Sequence, residues 1–246
     1  TAQEAVDILR RVIHHENKYR YTDQVDNQGI PINLDELFLH GMLKSKHGYC
    51  MNLSLLYLII GDRLNLPIYG VGLPNHFFVR YGSGSNSINI ETTESGATYS
   101  NSFYEKRFGL KFEAKTPFFT QSLNKKQTVG AYLSNVGMVY HKKSNLQKAI
   151  FYLKIAAEIN PISIEAQNNL ANLYGETGQH ELAIRHYKKA LQTNLNSAST
   201  FFNLGQTYVD FSEQNRAIEA FLQVIQIEPS FIQAHLKNDG GSKLRP

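Results

Sequence analysis

The chain of 246 residues holds one cysteine and no tryptophan. A single cysteine cannot close an intrachain disulfide, and by itself it leaves the compartment open. Long hydrophobic runs are missing too. The densest, 51–60, is interrupted by Asn52 and Ser54 and falls short of the roughly 18 apolar residues a membrane span requires. Charge of one sign is not in excess: 25 Lys and Arg stand against 21 Asp and Glu, a net +4. The cations are spread along the chain with acids between them, which disfavours nucleic acid as a partner. What is present, 42% hydrophobic and 19% charged residues, is ordinary for a globular protein of one large or two modest domains. The first residue is Thr1 rather than methionine, which reads as a processed or cut product.

Beyond residue 129 the chain repeats itself every 34 residues. Tyr140, Tyr174 and Tyr208 are one series and Ala149, Ala183 and Ala217 another. Gly137, Ala171 and Gly205 form a small-residue series, Leu153, Tyr187 and Phe221 a bulky one, and Pro161, Leu195 and Pro229 close the units. Two helices per unit explain this, the small residues allowing close approach and the large ones filling the space between. The pattern resembles tetratricopeptide repeats at about 130–163, 164–197 and 198–231. It departs from that family where Leu133, Gln167 and Phe201 stand in place of tryptophan and Leu195 in place of proline. A capping helix is predicted from Ser230 to Asn238, making 130–238 a repeat domain, and the glycine-bearing tail 239–246 is expected to be disordered.

The first half reads differently. Ala5, Ile8, Leu9, Val12 and Ile13 form a helical stripe. Asn33 followed by Glu36 resembles a capping box before a second helix with Leu34, Leu37, Phe38 and Met42. A third, from about 50 to 64, is apolar around most of its circumference and therefore buried on several sides. Segments near 68–73, 76–82 and 87–92 are short, rich in Ile, Val, Phe and Tyr, and bounded by turn residues, so antiparallel strands are predicted. The aromatic residues of 95–129, among them Tyr99, Phe103, Tyr104, Phe108, Phe112, Phe118 and Phe119, are expected to pack against both halves.

Cys50 opens the third helix, His76 stands on one predicted strand, and Glu91 on the next. A helix N-terminus stabilises a thiolate, an imidazole moves protons, and a carboxylate orients the imidazole. Asn89 shares a strand face with Glu91, so either could orient His76; Glu91 is favoured because it also stabilises imidazolium. His47 is expected to face solvent. A zinc site from Cys50, His47 and His76 is disfavoured, since structural zinc usually takes four ligands. No cofactor is called for.

Gly48-Tyr49-Cys50, Asn75-His76-Phe77-Phe78-Val79 and Asn89-Ile90-Glu91-Thr92-Thr93, in that order, resemble the transglutaminase-like superfamily of papain-type thiol enzymes over about residues 1–115. The nearest arrangement is that of bacterial transglutaminase-like proteins joined to tetratricopeptide repeats. The resemblance implies an α+β domain at 1–125 followed by an all-α repeat solenoid, with Cys50, His76 and Glu91 as the catalytic group. It implies a thiol-dependent hydrolase or acyltransferase acting on peptide or carboxamide bonds, in the manner of a cysteine protease. The usual third member is Asp, and true transglutaminases use a tryptophan beside the thiol; Glu91 and the missing tryptophan favour hydrolysis over crosslinking. The alternative is a non-catalytic adaptor with a degenerate domain of this kind. The repeats imply a groove for a protein or peptide, with Met138, His141, Lys142, Glu165, Asn168, Asn172, Glu176, Gln206 and Asp210 facing it. On this view Cys50 carries a lowered pKa.

Overall fold

The computed structural model describes residues 1–27, 30–73, 76–108 and 122–230, and it divides into two compact units, Thr1–Thr128 and Val129–Pro246. Asn75, Phe112, Phe118, Phe119, most of the predicted capping helix and the tail lie outside the described residues.

In the first unit α1, Ala2–Arg10, starts at a capping box: the Thr1 hydroxyl accepts from the Glu4 amide while the Glu4 side chain reaches back to the Thr1 backbone. The helix then widens into a π-type turn over Arg11–Glu16. Its buried face is Val6, Leu9 and Ile13, and Ile8, expected inside, is half exposed. The apolar stripe is broad enough to seat in two rotations, and packing selects the one with Val6.

The second predicted helix is broken. Asn33 accepts from the Asp35 amide and starts only a 3-10 turn, Leu34–Leu37; Phe38 is extended (φ −109°, ψ 149°), and α2 follows at Leu39–Ser45. Two short parallel strands then pair, β1 (Arg20–Tyr21) with β2 (His47–Gly48). The third helix, α3, spans Cys50–Arg63. Strands β3 (Ile68–Leu73), β4 (His76–Tyr81), β5 (Ile88–Glu91) and β6 (Ala97–Tyr99) make an antiparallel sheet in sequence order, with α4 at Asn101–Phe108.

Alternation along the strands divides the core between the two faces of this sheet. Val79 and Ile90 join Val6, Leu9, Ile13, Met42, Leu53, Leu56 and Tyr57 from α1, the π-type turn, α2 and α3. Val71, Leu73 and Phe78 face the other way, onto Tyr104 of α4 with Tyr99, Phe103 and Phe108 around it. Strand β4 is thus covered on both sides, which explains its near-continuous apolar sequence.

The second unit is three helix pairs: α5 (Lys125–Lys142, beginning just before the division) with α6 (Leu146–Ile159), α7 (Ile164–Glu176) with α8 (His180–Thr193), and α9 (Ala198–Asp210) with α10 (Gln214–Ile227). The small and bulky series meet within each pair. A Cβ on Gly137 would lie 2.7 Å from Leu153 Cγ, and one on Gly205 2.7 Å from the Phe221 ring. Ala149, Ala183, Ala217, Tyr140, Tyr174 and Tyr208 are all buried. A further series of period 34 marks the turn inside each pair, where Ser144, Gly178 and Ser212 hold φ of 58°, 72° and 60°. Side chains bridge successive pairs: Asn168 Nδ2 donates to Thr200 Oγ1 at 2.8 Å, Asn203 Nδ2 to Asn172 Oδ1 at 3.2 Å, and Asn169 Nδ2 to Ser134 Oγ at 3.3 Å.

Candidate active site

Cys50 reaches its place through a tight backbone path. Lys46 ends α2 in the left-handed region (φ 64°), and Gly48 follows where a Cβ would meet Met42 Sδ at 2.7 Å and Asn52 Oδ1 at 2.9 Å. Only glycine fits there, so the chain can turn directly into α3. Tyr49 is the N-cap residue and Cys50 the first residue of the helix.

His76 begins β4 and Glu91 ends β5. His76 Nε2 lies 2.7 Å from Glu91 Oε2, with the Glu91 side chain 1% exposed and that of His76 13%. The other carboxylate oxygen accepts from the Thr93 amide at 3.1 Å and hydroxyl at 2.6 Å, and the Tyr104 hydroxyl donates to Oε2 at 3.3 Å. Phe108 stacks on the imidazole with ring centres 5.2 Å apart. Burial pushes the Glu91 carboxyl up, but the hydrogen bond and charge of His76 and the Thr93 donors outweigh it and hold the group below its ordinary range. Glu91 is therefore an anion at neutral pH.

The thiol is tied to this pair through backbone and hydroxyl groups. Thr92, next to Glu91 and fully buried, reaches the Cys50 carbonyl at 3.5 Å and Ser54 Oγ at 3.0 Å. The backbone amides of Met51, Phe77 and Cys50 itself favour the thiolate. The expected low pKa is not found. Burial first, and then the Glu91 charge, push the Cys50 thiol up to about 12 against those backbone donors. With Cys50 only 8% exposed, the helix terminus does not offset the loss of hydration, and the resting group is a neutral thiol.

The two strand positions considered for orienting His76 have separate partners. Asn89 accepts from Arg80 Nε at 2.7 Å and donates to Tyr99 O at 3.2 Å and Asn101 Oδ1 at 2.8 Å; Glu91 is the one that meets His76. His47 is half-buried rather than solvent-facing, its Nδ1 2.9 Å from Ser45 O, because β2 pairs with β1. Sequence reading gave no role to Thr92, Thr93 or Tyr104; the paired threonines directly after Glu91 were the one local signal for two of them. Among the described residues no three His, Cys, Asp or Glu side chains converge to hold a metal ion, and no helix is long and apolar enough to cross a membrane.

In the repeats, several residues expected to face a partner are engaged in hydrogen bonds within the repeats. His141 Nε2 lies 2.7 Å from Glu176 Oε2. Asn168 and Asn172 make the bridges given above, and Asn172 Oδ1 also accepts from Tyr187 OH at 2.5 Å. Lys142, Glu165, Gln206 and Asp210 are exposed.

Residues 1–130 match the transglutaminase-like superfamily, and residues 131–163 and 163–229 match tetratricopeptide repeats. Among curated proteins, the CTR9 homolog of Arabidopsis thaliana is 27% identical over 165 residues, 61% of this chain and 15% of that protein. Human F-box only protein 21 is 26% identical over 88 residues, 36% of this chain and 13% of that protein. The match thus spans about a seventh of either relative. A crystal structure of MamA is 26% identical with a TM-score of 0.41, covering 45% of this chain and 68% of that one.

Proposed function

The chain belongs to the transglutaminase-like superfamily and continues into protein-binding tetratricopeptide repeats, and from that premise we propose that it is a thiol-dependent hydrolase or acyltransferase acting on peptide or carboxamide bonds of a protein. The observation that carries this reading is the 2.7 Å pairing of His76 with buried Glu91, beside a cysteine at a helix start. Glu91 takes the N–H of Nε2 and leaves the Nδ1 lone pair as the base. Because the resting thiol is neutral, its proton passes to His76 as the sulfur attacks.

The sulfur bonds to the carbonyl carbon, and the carbonyl electrons become an oxyanion. When the oxyanion collapses the C–N bond breaks, and imidazolium gives its proton to the departing amine. Water, deprotonated by His76, then cleaves the thioester to release the acid and restore the thiol; a second amine in its place gives transfer. The repeats hold the partner through exposed positions such as Lys142, Glu165, Gln206 and Asp210, while His141, Asn168, Asn172 and Glu176 shape the surface.

Acetylation of Cys50 by p-nitrophenyl acetate, followed by intact mass, tests the chemistry. One acetyl per chain is expected, transferred to water over time, with uptake lost in Cys50→Ala and strongly slowed in His76→Ala. A wild-type rate no higher than that of the His76→Ala protein would overturn the reading. The buried, raised thiol favours the adaptor as second reading, and that result would select it. Co-purification of a protein with the Cys50→Ala chain, weakened by Gln206→Ala with Asp210→Ala, tests the role of the repeats.

A further inference from the structure

Several side-chain torsions separate the Glu91 carboxylate from its backbone, and its direction is set only by what it bonds to. The short 3-10 turn after β5, Thr92–Glu94, supplies those bonds, with Glu91 as its N-cap residue. Oε1 accepts from both donors of half-buried Thr93, the amide at 3.1 Å and the hydroxyl at 2.6 Å. That leaves Oε2 to face His76 Nε2 at 2.7 Å. The turn is itself held on every side. The Gly96 amide donates to the Glu91 carbonyl at 3.0 Å. Before Thr93, Thr92 reaches Ser54 Oγ and the Cys50 carbonyl on α3. After it, Glu94 accepts from Arg107 Nη1 of α4 at 2.8 Å and from the Tyr99 hydroxyl.

A carboxylate orients an imidazole only while its lone pair lies along the N–H that it accepts. Resting on the thiol-enzyme reading above, we infer that Thr93 is a positioning residue: its hydroxyl pins Oε1 and so sets the plane in which Oε2 holds His76. The distances decide between the two hydroxyls that reach Glu91. A bond of 2.6 Å from the Thr93 hydroxyl to a carboxylate belongs to the strong, charge-assisted class. The Tyr104 hydroxyl, at 3.3 Å, does not. With Oε1 fixed in advance, the carboxylate has no need to turn when His76 takes the thiol proton and becomes imidazolium.

Two substitutions at this one position separate the role from packing. Thr93→Val keeps the shape and the methyl group and removes the hydroxyl; Thr93→Ser keeps the hydroxyl and removes the methyl group. Thr93→Val is expected to slow acetylation of Cys50 by p-nitrophenyl acetate ~10-fold per folded molecule, the share of one hydrogen bond to a charged group. Thr93→Ser is expected to recover most of that rate. In the His76→Ala background Thr93→Val should change the residual rate by less than about twofold, because it acts only through the imidazole. A larger loss in Thr93→Ser than in Thr93→Val would make Thr93 a packing residue. A Thr93→Val protein at the wild-type rate would remove it from the chemistry, and equal slowing with and without His76 would show an effect that bypasses the imidazole. Each of these overturns the inference while leaving His76-dependent acetylation of the wild type, and so the broader reading, standing. A wild type with no His76-dependent acetylation would overturn both.

Discussion

Glu91 and Asn89 sit two residues apart on one strand face and have different consequences when changed. Glu91→Gln keeps the shape of the site and removes the charge that stabilises imidazolium, so His76-dependent acetylation per folded molecule is expected to fall at least ~10-fold, together with the stability the ionised carboxylate contributes at neutral pH. Asn89→Ala withdraws a partner from buried Arg80 and from Asn101, so stability is expected to drop by about 1–3 kcal/mol while the acetylation rate per folded molecule holds. Denaturant titration beside the acetylation assay distinguishes the two. Sequence alone placed both residues on the right face, because the period of a strand is two. It could not choose between them, since the choice is made by Arg80 and α4, whose positions depend on the folded sheet. The thiol was misjudged for a related reason: a helix start is visible in sequence, whereas the depth of its burial is not. With the group pushed up to about 12, alkylation of folded Cys50 at pH 6–7 is expected to be at least ~10-fold slower than in denatured chain. Fast alkylation near pH 6 would mean a standing thiolate–imidazolium pair.

Elements tell the same story at larger spacing. The repeat helices were legible because three copies reinforce each other, and so were the small and bulky series, whereas the contact of Gly137 with Leu153 came only with the fold. The split of the second N-terminal helix at Phe38, the short β1–β2 pair and α4 were not legible, because each is imposed by partners distant in sequence. Within the repeats, the left-handed turns at Ser144 and Ser212 carry a strain that glycine, already present at Gly178, avoids. Ser144→Gly and Ser212→Gly are each expected to stabilise the repeat unit by about 0.5–1 kcal/mol, measured by thermal or urea unfolding. Substituting valine for Gly137 should have the opposite effect, destabilising by about 1–3 kcal/mol through collision with Leu153.

At the scale of the whole molecule, acid is expected to weaken both units. In the repeats His186 donates from Nδ1 to Gln167 Oε1 at 2.7 Å, and burial, then Lys189, Arg185 and Lys154, lower it to about 4. A histidine held neutral in the fold contributes its stability above its unfolded value near 6.5 and loses it as pH falls toward 4. Glu91, lowered in the fold, contributes above the ordinary carboxylate range and loses that contribution as pH falls below it. Unfolding midpoints should therefore decline from pH 7 to pH 4, and His186→Gln should remove part of that decline between pH 6.5 and 4. The bridges Asn168–Thr200, Asn172–Asn203 and Asn169–Ser134 join residues about one repeat apart. The proposed site in the first unit, by contrast, draws on Cys50, His76, Glu91 and Tyr104, which span much of that unit. During synthesis each repeat can settle on its predecessor as it emerges, but Cys50 leaves the ribosome before His76, Glu91 and Tyr104. A nascent chain therefore carries an ordinary cysteine, more open to alkylation than the folded one, and His76-dependent acyl transfer is expected only once the fold has closed around it.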